Sequence, residues 1–320
     1  MKAIVVSETG GPDRLEYTDV PDPVPGPGEV LVDVKAVGVN YVDTYHREGR
    51  YPMPMPFTPG QEGAGVVAAL GEGVTGFTAG QSVAWTQTLG SYAEKVAVPA
   101  DRLLPVPDGL DPALVAASLL QGLTAHYLSH STYPVQPGDV AVVHAAAGGV
   151  GQILTQLVKL RGGRVIATVS TEEKAKLARE AGADEVVGYE GFAEKVRAFS
   201  GGAGAHVVYD GVGRTTFDEG LTALRPRGMM ALYGGASGAV PPFDPIRLSK
   251  SGSLFLTRPT MEHYVADREE MLGRVGDLLG WLADGTVTVR VSATYPLAEA
   301  ARAHTDLEGR RTTGKILLIP

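Results

Sequence analysis

Two short stretches carry the residue types that chemistry needs. The first is HAAAGGVGQ, residues 144–152, which follows the apolar run VAVV and leads into the apolar ILTQLVKL. In register it reads Ala146-x-Gly148-x-x-Gly151, a form of the dinucleotide fingerprint. Gly148 lets the backbone approach a pyrophosphate, and Gly151 lets a helix pack closely on a strand. The loop Ala147, Gly148, Gly149, Val150 and Gly151 then offers free N–H groups and the positive end of a helix to the phosphates. Small residues closing a strand-to-helix turn are common alone. The strand-turn-helix setting gives the motif its weight. The second stretch is FTPGQEGAG, residues 57–65, where Gln61 and Glu62 stand side by side among glycines. It reads either as a polar turn that packs locally or as one wall of an active site.

The strand after the fingerprint discriminates between dinucleotides. An NAD site usually places Asp or Glu about 20 residues on, to bind the ribose 2′-hydroxyl. That place holds Ser170, followed by Thr171, Glu172, Glu173 and Lys174. A hydroxyl with a lysine four residues later suits a 2′-phosphate, which needs donors and positive charge. Glu172 and Glu173 read as first-turn charges that face solvent. Tyr189, at the end of the following strand, offers a further hydroxyl. The expected cofactor is NADPH.

Other chemistries are bounded by composition. The chain has no cysteine, so disulfides, thiolate zinc sites and a cysteine nucleophile are excluded. His126 and His130 share a helical face, but LTAHYLSHSTY offers no third ligand. A net charge of −8 without a basic segment disfavours nucleic acid. MKAIVVSETGG lacks the basic and apolar regions of a signal peptide, and no apolar run is long enough to span a bilayer. The expectation is a soluble cytoplasmic protein.

These residues need elements to hold them. Residues up to about 120 read as strands and turns, with KAIVVSE, EVLVDVKAVGVN, GAGVVAAL, QSVAWT and SYAEKVAVPA as strands of an antiparallel, barrel-like region. DPALVAASLLQGLTAHYLSHS reads as a helix started by Asp111-Pro112. Six strands then alternate with helices: VAVVHAAA, RVIATVS, DEVVGY, AHVVYDGV, MMALYGG and GSLFLTRP. TTFDEGLTALRPRG is expected as one of the intervening helices. Such alternation predicts a doubly wound parallel sheet. A long helix over HYVADREEMLGRVGDLLGWLADG precedes a strand-helix-strand tail that rejoins the first region. The expected domains are 1–121, 122–284 and a returning segment 285–320.

With these stretches in place, the chain resembles the medium-chain dehydrogenases/reductases, and within them the zinc-free NADPH:quinone oxidoreductases of the zeta-crystallin group. The resemblance rests on GVNYVDTYHREGRYP, TPGQEGAGVV, QGLTAHY, HAAAGGVG, TVSTEEKA, VVYDGVGR, GSLFLTRP and LEGRRTTGKILLIP, which span nearly the full length in the family's order. It implies a Rossmann domain joined to a GroES-like catalytic domain. Zinc-dependent relatives carry GHE where this chain has Gly60-Gln61-Glu62, and ligand cysteines at the places of Asn40 and Gln121. Amides therefore stand at all three positions, and no metal is expected. By resemblance, Asn40, Tyr45 and Tyr51 line the substrate cleft with donors for a developing oxyanion, and Tyr45 also contacts the cofactor. Thr124 is placed near the nicotinamide. Arg214, the turn Tyr233-Gly234-Gly235-Ala236 and Phe255-Leu256-Thr257 line the cofactor, and Arg311 reaches toward the 2′-phosphate or the adenine. The activity implied is electron or hydride transfer from NADPH to a quinone. An enone or enoyl reductase is the alternative, followed by a non-catalytic NADPH-binding protein. An exposed sheet edge near MMALYGG and GSLFLTRP predicts a homodimer.

Overall fold

The computed structural model describes residues 1–107 and 109–320. The chain divides into two compact units: residues 1–120, 275–284 and 289–320, and residues 121–274 and 285–288.

In the first unit a seven-stranded sheet is organised around the strand Glu29–Val39. One edge of that strand pairs along its length with Glu62–Leu70. Its other edge is shared: residues 29–33 pair with Lys95–Pro99, and residues 37–39 pair with Lys315–Ile319. All three pairings are antiparallel, and the alternating burial of Lys95–Pro99 suits a strand with one face on the core. The core beneath includes Val30, Val32, Val37, Trp85, Tyr92, Leu103 and Ile316, all essentially inaccessible. The tail supplies Val291–Pro296, the helix Ala300–Glu308 and Lys315–Ile319 to this unit.

One element of this unit departs from the sequence reading. A seven-residue helix, Tyr41–Arg47, follows Glu29–Val39 where only strands and turns are expected. Its β-branched and aromatic residues argue weakly for helix. Its start is fixed instead by Asp43 at the third helical position, whose Oδ2 accepts from the Asn40 backbone N–H at 2.8 Å. That is one arm of a capping box.

In the second unit six parallel strands lie in the order Glu185–Val187, Arg164–Thr168, Val140–His144, Ala205–Asp210, Leu224–Leu232, Phe255–Thr257. This is the doubly wound arrangement that the alternation predicts. Val140–His144 is buried throughout, as a central strand covered on both faces must be. The helix expected over residues 215–228 is shorter, Phe217–Ala223, and the strand begins at Leu224. Pro226 cannot continue a helix, and Arg227 adopts a left-handed φ of 61°. Among the described residues no helix is long and apolar enough to cross a membrane.

Candidate active site

In the nucleotide unit the expected cofactor residues gather along one edge of the sheet. Fingerprint, Ser170 and Tyr189 follow the carboxyl ends of Val140–His144, Arg164–Thr168 and Glu185–Val187. Arg214 follows Ala205–Asp210, Tyr233–Ala236 follows Leu224–Leu232, and Thr257 ends Phe255–Thr257. Open α/β sheets bind ligands outside the carboxyl ends of their strands.

Gly148 caps the helix Gly149–Leu160 in an extended conformation. A Cβ on Gly151 would lie 2.4 Å from the Ala145 carbonyl oxygen and 2.7 Å from the Ala146 Cα. No larger residue fits between that helix and that strand. A Cβ on Gly149 would lie 1.8 Å from Gln121 Oε1, so the Gln121 amide rests on the fingerprint backbone. Ala147 is buried and its carbonyl accepts from Gln152 Nε2 at 2.8 Å, which braces the loop beside Val150.

At the next strand end Thr171 caps the helix Glu172–Glu180, its side chain accepting from the Lys174 N–H. The cap turns Lys174 back, and its Nζ lies 3.4 Å from Ser170 Oγ. Glu172 is 82% exposed and pairs with Arg179 at 2.6 Å, so its charge faces away from this corner. A hydroxyl and an ammonium thus stand side by side at this strand end. The Tyr189 ring stacks near that of His144, centroids 6.2 Å apart, and His144 Nδ1 is 2.7 Å from Thr168 Oγ1.

The remaining cofactor residues are held by a group that sequence reasoning passed over. Asp210 is fully buried and accepts from the Val212 and Gly213 N–H groups at 2.7 and 2.9 Å, and from the Thr216 hydroxyl. It shapes the turn that leads to Arg214, whose Nε donates to the Ala239 carbonyl at 3.3 Å. The Tyr233 ring covers Gly211, and a Cβ on Gly234 would lie 2.5 Å from the Gly211 carbonyl oxygen. Gly235 and Ala236 complete that bend, Gly235 by accepting from the Gly238 N–H and Ala236 by donating to Gly211. Burial pushes the Tyr233 phenol above its ordinary range, with Asp210 adding to the shift. Thr124 is buried and bonded to Tyr127, whose ring stacks on Tyr264 at 4.3 Å. Phe255 is 57% exposed on the last strand of the sheet, and Leu256 and Thr257 are half-buried. His126 and His130 stack at 4.3 Å, with Arg274 Nη1 at 3.0 Å from His126 Nδ1. A guanidinium in that position fits a scaffold pair rather than metal ligands.

The first unit gathers Asn40, Glu62 and Lys315 by strand register. Val37 pairs with Gly63 and Val39 with Ile316. Residues 62 and 315 therefore meet the end of Glu29–Val39, where Asn40 follows. Glu62 and Lys315 are wholly buried and form an ion pair. Lys315 Nζ also donates to Asn40 Oδ1 at 2.8 Å. Asn40 Nδ2 donates to Glu62 Oε1 at 2.7 Å and to the Gly38 carbonyl at 3.2 Å. Glu62 Oε2 accepts from the Leu120 N–H at 2.7 Å. The amide has two N–H groups and both are committed. This corrects the reading of Asn40 as an oxyanion donor. Glu62 in turn is no local turn residue. Gln61 is half-buried beside it, its Oε1 accepting from Gln87 Nε2 at 3.4 Å.

Tyr45 and Tyr51 are brought together, ring centroids 5.5 Å apart and edge to face, with the Arg50 guanidinium 5.1 Å from the Tyr45 centroid. Tyr51 is 45% exposed. Tyr45 beside it is half-buried. Arg311 is exposed in this same unit and pairs with Asp306 at 3.3 Å.

Residues 26–108 match the alcohol dehydrogenase GroES-like domain family, and residues 149–273 match the zinc-binding dehydrogenase family. The quinone oxidoreductase of Pseudomonas aeruginosa is 43% identical, covering 100% of this chain and 99% of that protein. This chain belongs to the quinone oxidoreductase family of medium-chain dehydrogenases/reductases. Within that family it superposes on the Escherichia coli quinone oxidoreductase in complex with NADPH with a TM-score of 0.98, at 40% identity and full coverage of both chains. It is also similar to a 2-haloacrylate reductase from a Burkholderia species, 44% identical over 99% of this chain and 98% of that one. Among the described residues no three His, Cys, Asp or Glu side chains converge to hold a metal, and the cation beside Glu62 is an ammonium. Zinc takes thiolate, imidazole and carboxylate ligands, so Asn40, Gln61 and Gln121 do not fit it.

Proposed function

We propose that this protein is an NADPH-dependent quinone reductase that works without a metal. One observation carries the reading. A chain similar over its full length to quinone oxidoreductases has amides, and the Lys315 ammonium, where a catalytic cation would need anionic ligands. Without a Lewis acid the acceptor must already be electrophilic, which a quinone is. Bound NADPH supplies a hydride, or electrons, from its nicotinamide. The chain's own residues orient the two reactants and exclude competing geometries. The phenols of Tyr45 and Tyr51 donate to the quinone oxygen on which charge develops, and the hydroquinone anion takes its proton from water. Gln61 stays beside this face as a polar wall.

The fingerprint glycines receive the pyrophosphate, and Ser170 with Lys174 receives the 2′-phosphate, joined by Tyr189. Thr124, Arg214, Tyr233–Ala236 and Phe255–Thr257 line the rest of the cofactor. Support for NADPH over NADH comes from the 3.4 Å Lys174–Ser170 contact and the outward pairing of Glu172. A cytoplasmic homodimer completes the reading. Its support is the last strand of the sheet, Phe255–Thr257, which leaves Phe255 open on its edge.

A second reading has its own observation, the 44% identity to a 2-haloacrylate reductase. Hydride delivery to an activated carbon–carbon double bond uses the same cofactor half and the same phenol donors. Stopped-flow oxidation of NADPH and of NADH, by benzoquinone and by 2-chloroacrylate on EDTA-treated protein, separates the two. Fast turnover of benzoquinone with NADPH, undiminished by EDTA, is expected. Turnover of chloroacrylate alone moves the assignment to the second reading. Light scattering after gel filtration tests the dimer.

A further inference from the structure

The ion pair Lys315–Glu62 has no stabilising reason to exist. Both side chains are fully buried. Taking two charges out of water offsets most of their attraction, and apolar replacements of such pairs are often neutral or better. What the pair does achieve is geometric. It takes hold of Asn40, and Asn40 begins the helix that carries Tyr45.

That helix, Tyr41–Arg47, has seven residues and cannot persist by itself. It is fastened at both ends by buried polar groups. At its start, Asn40 makes four hydrogen bonds through its side chain and N–H, to Lys315, Glu62, Gly38 and Asp43. At its end, Arg47 is 1% exposed; it donates to the Gly10 carbonyl at 3.0 Å and to Glu308 Oε1 at 2.6 Å. Arg47 Nη1 also lies 3.0 Å from His304 Nδ1. A guanidinium only donates, so His304 Nδ1 accepts and its proton sits on Nε2. Nε2 then donates to the Tyr92 hydroxyl at 2.9 Å, and that hydroxyl donates to Asp43 Oδ2 at 3.1 Å. The two fastenings thus meet beneath the helix. Above them, the Tyr51 N–H donates to the Tyr45 carbonyl at 3.2 Å and the two rings pack edge to face.

We propose that Lys315, with Glu62, is a positioning residue for quinone reduction: it locks Asn40 so that the helix Tyr41–Arg47 presents Tyr45 and Tyr51 in one orientation. The role rests on the reading that these phenols meet the quinone. It assigns Lys315 no contact with substrate.

The test compares wild type, Lys315→Met and the double variant Lys315→Met/Glu62→Gln, which removes both charges and keeps a hydrogen-bonding amide. The single variant strands a carboxylate and is the one at risk of not folding; the double variant carries the decision. In the folded double variant the NADPH Kd, measured by fluorescence quenching, stays within about twofold, while kcat with benzoquinone falls about 10- to 100-fold. A role confined to stability lowers the melting temperature of the double variant and leaves kcat and KM of the folded protein at wild-type values. A folded double variant with wild-type kcat overturns the role and leaves the functional reading intact. Parallel loss of NADPH binding overturns it too, as damage beyond the helix. A wild-type protein that turns over no quinone overturns the functional reading, and this role with it.

Discussion

The two units prepare to hold their ligands by opposite means. The nucleotide half is built from backbone and small side chains at the ends of neighbouring strands, braced by the buried carboxylate of Asp210, with Lys174 half-buried and Arg214 exposed. The substrate half rests on ionisable groups sealed inside: Glu62, Lys315, Asp43, Arg47 and His304 are all buried. Phosphate arrives with its own charge and needs only a pre-formed cradle of N–H groups. A neutral quinone gives the protein nothing to grip, so the groups that meet it must be held from behind.

Breaking this contrast is easiest on the buried side. Glu62→Ala leaves the Lys315 ammonium without its carboxylate, and a loss of ~3–5 kcal/mol in urea unfolding is expected. A loss below ~1 kcal/mol would mean the pair is not sealed from water. On the nucleotide side the sensitive atom is a missing one. Gly151→Ala pushes a Cβ into Ala145 and Ala146 backbone, which cannot swing aside. A cost of ~1–3 kcal/mol with weakened NADPH binding should follow, read by thermal melts and titration. Surface charge should matter less. Lys174→Ala should weaken NADPH about 10-fold, ~1.4 kcal/mol, and leave NADH unchanged; equal losses for both would remove the 2′-phosphate assignment.

The finest test uses pH. Burial, partly offset by the Asn40 N–H, raises Asp43 from 3.8 to about 7. Burial, helped by Arg47, lowers His304 from 6.5 to about 3. The folded state holds the Asp43 proton more tightly, so its contribution is full below the unfolded value and is lost as pH rises toward 7. His304 works the other way: its contribution is present above 6.5 and lost as pH falls toward 3. Between about 4 and 6.5 the two oppose each other. Asp43→Asn keeps the acceptor for Tyr92 and leaves the histidine alone. Its melting temperature should climb with pH from 4.5 to 6.5 more steeply than that of wild type. Parallel curves would show that Asp43 ionises normally.

The contrast also explains what could be read from the sequence. Fingerprint, Ser170, Lys174 and the six-strand alternation are local patterns, each readable within a short window of sequence. The substrate half was legible only in part. Asn40, Gln61, Tyr45 and Tyr51 were visible through the family resemblance, yet the bonding of Asn40 was not. Its partner Lys315 is 275 residues away and arrives by the antiparallel pairing of Ile316 with Val39. No window of sequence contains that register. His304 and Tyr92 are joined 212 residues apart for the same reason. Asp43 was nearer to hand: three residues beyond Asn40, it fits the signature of a helix start that weak helix formers obscured.

Register has a consequence for synthesis. The nucleotide unit is drawn almost wholly from residues 121–274, a continuous stretch. The substrate unit takes residues 1–120 from ahead of that stretch and Lys315–Ile319 from behind it, so its sheet cannot close until the whole nucleotide unit has been made. The unit begun first is therefore completed after the other. Until Lys315 is synthesised the carboxylate of Glu62 waits without its counter-charge, and the helix bearing Tyr45 lacks the anchor that Lys315 gives to Asn40.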